Sequence, residues 1–216
     1  MQAVYHPDID AQRMMSPGSD LWQSVKRQIL HLTGTPLEMQ PSPFVQANWK
    51  GKSTGMVGDV SIAAVHNGQL LAFHLSWLDA NSNPDHGDNS SFPDAAAIAL
   101  PLHENSYLGT MGAPGAGINA WYWRAGIEGG KQVLLEGPGS SNTIEQEQIS
   151  TASVWVEGSW SVVIARPMQV PDNSAVLQLA PGMNTAVGVA IWEGGRGERG
   201  GIKAYSKDWI ELMLEG

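Results

Sequence analysis

The chain has 216 residues, enough to bury a sizeable core, and it is 42% hydrophobic but only 15% charged, with 25 Gly and 13 Pro, a turn-rich composition that favours an all-β architecture. Its formal charge of −9, from 12 basic and 21 acidic residues, argues against a nucleic-acid or anionic-membrane surface. The absence of cysteine excludes disulfides, iron–sulfur ligation, thiolate zinc sites and covalent c-type haem attachment, and no apolar run reaches the length of a membrane span.

The start, "MQAVYHPDID", lacks the basic and apolar regions of a secretion signal. This fits a cytoplasmic protein, a signal absent from this sequence, or export with a partner. In residues 19–32, "SDLWQSVKRQILHL", the spacing of Leu21, Val25, Ile29 and Leu32 behind a Ser/Asp cap predicts a helix whose end reads equally well as strand. "PLEMQPSPF" (36–44) is a proline-punctuated loop.

"DVSIAAVHNGQLLAFHLSW" (59–77) predicts a hairpin, because two β-prone runs flank Asn67-Gly68, a pair suited to a type I′ turn. A polar loop (78–94) follows, then strand-like "AAAIALP" (95–101) and "NAWYWRAGI" (119–127). Residues 136–151 read as loop. A second hairpin, "TASVWVEGSWSVVIARPM" (151–168), turns near Gly158 with Trp160, Val162 and Ile164 on one face. "NTAVGVAIWEGG" (184–195) and "DWIELML" (208–214) complete the strands, with Ile210, Leu212 and Leu214 alternating with Trp209, Glu211 and Met213. The pattern predicts an antiparallel β-sandwich with short helical segments and long loops, in one domain over residues 1–216.

Common catalytic motifs are missing: there is no G-x-S-x-G, H-E-x-x-H or P-loop, and "GAPGAG" (112–117) has no strand–turn–helix context. The six histidines show no paired ligand spacing; His66 and His74 fall on hairpin strands. Asp85, His86 and Asp88 in "NPDHGDN" could bind a cation through oxygen, though such loops are more often solvated turns. Nine tryptophans suit either a sugar-stacking platform or a packed core.

Met111 in "SYLGTMGAPG" and Lys203 in "GGIKAYS" make a further pair. A thioether is a soft neutral donor, and a buried lysine whose pKa falls on desolvation becomes a nitrogen ligand. One on each face would hold haem iron without cysteine or histidine. On residue type alone, packing is the commoner role for a methionine in Met111's place and solvation for a lysine in Lys203's.

The chain resembles the haem b-binding γ subunits of molybdenum enzymes of the dimethyl sulfoxide reductase superfamily, found in ethylbenzene dehydrogenase, dimethylsulfide dehydrogenase, selenate reductase and chlorate reductase. The resemblance is carried by "AAVHNGQLLAFHLSWLD", "SFPDAAAIALP", "TMGAPGAGINAWYWRAG", "VWVEGSWSVVIARPM" and "AVGVAIWEGGRGERGGIKAYSKDWIEL", with "FPDAAA" and "WEGGRGERGGIK" the most specific. It spans roughly residues 60–214; residues 1–58 match loosely and read as an N-terminal extension. "GAPGAGIN" is glycine-rich where relatives often carry Asp and Pro.

The resemblance implies a β-sandwich holding one non-covalent haem b, with Met111 and Lys203 as axial ligands of the iron and no catalysis of its own. It further implies a heterotrimer in which a molybdenum subunit performs the chemistry and an iron–sulfur subunit relays electrons. An external carrier such as a cytochrome c completes the path. Such subunits are typically periplasmic. Arg124, Arg196 and Arg199 suit haem propionates by type, although a surface place is the commoner one for each; Asp94 and Trp121 are candidates for pocket support, with packing the commoner role for Trp121. Two rivals remain: a carbohydrate-binding β-sandwich without haem, and a stand-alone haem sensor or carrier.

Overall fold

The computed structural model describes residues 1–85, 90–144, 149–171 and 173–216. In chain order the elements are β1 (Gln2–Tyr5), α1 (Ala11–Met15), α2 (Leu21–Ser24), β2 (Gln28–His31), β3 (Thr33–Gly34), α3 (Pro43–Trp49), β4 (Asp59–His66), β5 (Leu70–Leu78), β6 (Ala95–Pro101) and β7 (Ile118–Arg124). They continue with β8 (Lys131–Leu135), β9 (Ser141–Ile144), β10 (Ser150–Val156), β11 (Ser159–Pro167), β12 (Asn184–Trp192), β13 (Ala204–Tyr205) and β14 (Ile210–Leu214).

The strands form a curled sheet of order β10-β11-β5-β4-β1-β14-β12-β6-β7-β8-β9. The fold turns a corner at β12. Residues 184–187 pair with β14, and residues 188–192 pair with β6, so one strand belongs to both layers of the sandwich. Pairing is antiparallel apart from β1, which runs parallel to β4 and β14.

Period-2 alternation explains the core between the layers. Phe73, Leu75 and Trp77 of β5 and Val162 and Ile164 of β11 face Ile98, Leu100, Trp121 and Trp123 of the opposite layer. Phe73 meets Trp121 at 5.6 Å and Trp123 meets Trp160 at 5.1 Å between ring centres, edge to face. On the outer face of β4, β5 and β11, Met14, Leu21, Trp22 and Val25 form a second cluster with Ala63, Ala72 and Val163.

Both predicted hairpins form, the second with Trp160, Val162 and Ile164 buried together. The first turn differs in detail. Among the described residues only Gly68 of the Asn67-Gly68 pair has positive φ, at 86°, so the two left-handed residues of a type I′ turn are not made. Asn67 instead accepts hydrogen bonds through Oδ1 from the N–H groups of Gln69 and Leu70.

Of residues 19–32 only Leu21–Ser24 are helical, and the end of the segment takes the strand reading: Val25 turns extended and residues 28–31 pair with β4. Residues 136–151 are not all loop: β9 closes the edge beside β8.

Candidate functional site

A cavity of about 560 Å³ lies on the outer face of the β12-β6-β7-β8 layer. Its floor follows from register. Ala190, Ala97 and Tyr122 form one cross-strand row, and Gly188, Ala99, Ala120 and Val133 form the next. Their chain neighbours Ile98, Leu100, Trp121 and Trp123 point the other way into the core. The one-carbon side chains of Ala97, Ala99, Ala120 and Ala190 leave open space above the sheet. Residues 39–42 and Val45 of α3 form the roof, and Gly137, Ser140 and Thr143 close a third side.

Lys203 and Met111 both line this cavity, and Lys203 Nζ lies 3.5 Å from Met111 Sδ. Lys203 follows a tight turn bridged between Arg199 and Ile202. Its backbone is held by β3 and by Thr35, whose N–H and Oγ1 donate to the Lys203 carbonyl at 3.0 and 3.1 Å. Gly201 packs against Gln40, where a Cβ would sit 2.1 Å from the side-chain oxygen.

The Lys203 side chain is buried, and desolvation pulls its pKa down to about 8. Among the described residues no carboxylate stands within ion-pair distance of it. Its other neighbour is the Trp192 ring, 5.6 Å from Nζ. A neutral amine is therefore readily accessible near physiological pH.

Met111 follows a 3₁₀ turn, Leu108–Thr110, and takes the left-handed conformation with φ 55° and ψ 43°. That costs a side-chain-bearing residue about 1–2 kcal/mol. Hydrogen bonds from Met111 N–H to Leu108 O and from Gly137 N–H to Met111 O hold it there. The strain aims a thioether at the cavity.

The motifs "FPDAAA" and "WEGGRGERGGIK" meet elsewhere, in a buried carboxylate cluster. Oxygens of Asp79, Asp94 and Glu193 all lie within 4.8 Å of one another. Asp94 accepts from Gly194 N–H and Asn83 N–H, both at 2.8 Å, and from Trp160 Nε1 at 3.0 Å. Glu198, fully buried, accepts from the N–H groups of Gly55, Met56 and Glu193. These acceptors pin both sides of the turn that leads to Lys203. Burial pushes Asp79 up to about 6, with the Asp94 charge adding to it. Burial likewise pushes Glu193 up to about 7, reinforced by Asp79 and then Asp94. At Gly194 the chain passes so close to Phe92 O that a Cβ would lie 1.9 Å from it.

Met111 and Lys203 are thus brought together from positions 92 apart. The other candidates fall elsewhere. Arg124, Arg196 and Arg199 do not line the cavity: Arg196 lies 3.9 Å from Glu193, and Arg199 stacks over Phe92. Asp94 sits in the carboxylate cluster, and Trp121 lies beneath the floor in the core. Asp85 is exposed, while His86 and Asp88 lie outside the described residues.

His66 and His74 are buried, His66 stacked on Tyr5 and His74 bonded to Arg27 and Ser161. No tryptophan is exposed: six are buried, and the partly buried Trp155, Trp192 and Trp209 each donate an indole N–H to a backbone carbonyl. The cavity-lining residues that sequence reasoning missed are Lys131, Tyr122 and the alanine floor, whose only signal is the alternation of alanines with large residues in β6 and β7.

The sequence model of the ethylbenzene dehydrogenase family matches residues 19–143 and 131–204. The chain is 33% identical over 165 residues to chlorate reductase subunit gamma of Ideonella dechloratans, covering 74% of this chain and 67% of that protein. It is 27% identical over 197 residues to a protein of Haloferax mediterranei named as a candidate respiratory nitrate reductase heme subunit, covering 91% and 67%. Among solved structures, a family 9 carbohydrate-binding module of Caldicellulosiruptor kristjanssonii in complex with glucose shares the fold, with a TM-score of 0.56 at 8% identity over 100% of this chain and 95% of that one. Identity that low speaks for the fold alone.

Proposed function

The chain belongs to the ethylbenzene dehydrogenase family, and from that premise we propose that it is a non-catalytic electron-transfer subunit carrying one haem b between Met111 and Lys203. One observation carries the reading: a buried lysine with no acidic partner among the described residues turns its amine onto a strained methionine inside a single, largely apolar cavity.

The donor set fits the group. Thioether sulfur and neutral amine are both competent iron ligands, and among the described residues no histidine lines the cavity. The alanine floor suits a flat, apolar macrocycle. Sδ and Nζ touch one another, so admitting iron between them requires rotation about the soft torsions of one or both side chains. The Met111 turn and the Lys203 turn are each fixed by backbone hydrogen bonds, which confines that adjustment to the side chains. Lys131 at the cavity, rather than an arginine, is the cation available to a propionate. Bound there, haem supplies a one-electron couple, and methionine ligation raises its potential.

On this reading the redox partners are an iron–sulfur subunit and a molybdenum catalytic subunit on one side and a carrier such as a cytochrome c on the other, in the periplasm. The chain's own work is to hold both ligands, exclude water and present the cavity edge to a partner. Visible spectra of the purified chain, oxidised and dithionite-reduced, test the reading. A six-coordinate low-spin haem is expected in the native chain, with binding lost or weakened in Met111→Ala and Lys203→Ala. An unchanged haem spectrum in both variants contradicts it.

A further inference from the structure

We propose that Arg166 is a fixed buried charge that raises the reduction potential of the haem, an inference that rests on the haem reading above. Arg166 belongs to β11, in the layer opposite the cavity, and it is fully buried. Its guanidinium reaches across the core to the inner face of β7 and β8. Nη1 donates to Asn119 Oδ1 and to Gln132 Oε1, each at 3.2 Å. Nη2 donates to Leu177 O at 2.6 Å and Met168 O at 3.5 Å, and Nε donates to Pro167 O at 2.9 Å. The Trp121 ring lies 4.8 Å away.

Every acceptor in that shell is a neutral oxygen. Among the described residues no carboxylate comes within 4.0 Å of Arg166, so the hydrogen bonds are satisfied while the charge is left uncancelled. Burial lowers its pKa to about 10, which still leaves a cation at neutral pH. The arrangement also leaves Asn119 Nδ2 and Gln132 Nε2 buried without a hydrogen-bond partner. Two amides that turn their oxygens to the guanidinium at the expense of their own N–H groups are organised around a cation. For packing alone, an apolar side chain of similar volume is often as good or better.

Position gives this charge its consequence. Asn119 lies between the cavity-lining residues Ile118 and Ala120, and Gln132 lies between Lys131 and Val133. A single backbone layer separates the guanidinium from the cavity floor, which places the two on the order of 10 Å apart by the usual sheet spacing. A unit charge at that distance in a protein interior shifts a one-electron equilibrium by on the order of tenfold, or about 59 mV. The reduced haem carries one positive charge fewer, so a fixed cation favours reduction.

The test is a spectroelectrochemical titration of the haem-loaded chain. Gln132→Glu introduces a carboxylate beside Arg166 that cancels its charge and adds an ion pair, so folding is kept. It is expected to lower the reduction equilibrium about tenfold with the axial-ligand spectrum unchanged. Arg166→Met is expected to do the same, and Arg166→Lys, which keeps the charge but not the fork, to retain most of the native potential. A native potential in Gln132→Glu with its axial spectrum intact overturns the inference, as does an equal fall in Arg166→Lys and Arg166→Met. A native chain that binds no haem overturns the underlying reading, visible before any potential is measured, and this inference falls with it.

Discussion

The cavity and the carboxylate cluster lie at opposite ends of the same turn, Glu193 to Lys203, and they bury opposite kinds of ionisable group. In the cavity Lys203 has, among the described residues, no acid within ion-pair distance; in the cluster three acids crowd together with Arg196 at the margin. Desolvation acts on both in the direction that removes charge, pulling Lys203 down to about 8 and pushing Glu193 up to about 7. Backbone N–H groups donate to Asp94 and Glu198, although Asp79 Oδ2 and Glu193 Oε2 are left without a partner, whereas among the described residues the lysine amine meets a sulfur and an aromatic ring. Hydrogen-bonded burial builds a scaffold. An amine buried without a hard acceptor is left available as a ligand.

The largest expected effect sits at the cavity end. Lys203→Ala or Met111→Ala should weaken haem binding by roughly 100-fold or more, while thermal unfolding of the apo-chain changes little. Equal destabilisation of both apo-variants would make the pair structural and erase the contrast. Gly194→Ala comes next, at the cluster end, since its Cβ has no room against Phe92 O. A loss of about 3 kcal/mol in denaturant unfolding is expected, accompanied by weaker haem binding because the turn positions Lys203.

The pH dependence of stability is a smaller effect with a definite sign. Asp79 and Glu193 have folded pKa values raised to about 6 and about 7 above their ordinary 3.8 and 4.5. The folded chain therefore holds more protons than the unfolded one between those limits. Their contribution is fully present below the ordinary values and is lost as pH rises through the raised ones. The paired substitution Asp79→Asn with Glu193→Gln should flatten this slope and stabilise the apo-chain at pH 8 by about 2 kcal/mol. Ala97→Leu should have the smallest effect on stability, under about 1 kcal/mol, yet reduce haem uptake by filling the floor, which a haem titration would register.

Both hairpins were legible in the sequence because each has strands of period 2 around a glycine turn, and local signals of that kind survive folding. The edge strand β9, Ser141–Ile144, was not legible: three of its four residues are exposed, so it carries no alternation to read. Helix α2 ended early because β4 offered residues 28–31 a partner, a tertiary preference that overrode the helical spacing. Lys203 was legible by family resemblance, but the reason it points inward was not. That reason is a convergence of residues far apart in sequence: the roof from residues 39–45, the Met111 turn, and the anchor of Asp94 and Glu198. Arg124, Arg196 and Arg199 lie away from the cavity lining for a related cause. Residue type marked the arginines, whereas register placed Lys131 at the cavity.

The central claim is a sulfur and an amine on the same iron. X-ray absorption at the iron edge of the haem-loaded chain measures this most directly. The account predicts one sulfur neighbour together with nitrogens, the sulfur vanishing in Met111→Ala. An iron shell without sulfur in the native chain, or one that keeps its sulfur in Met111→Ala, would contradict it.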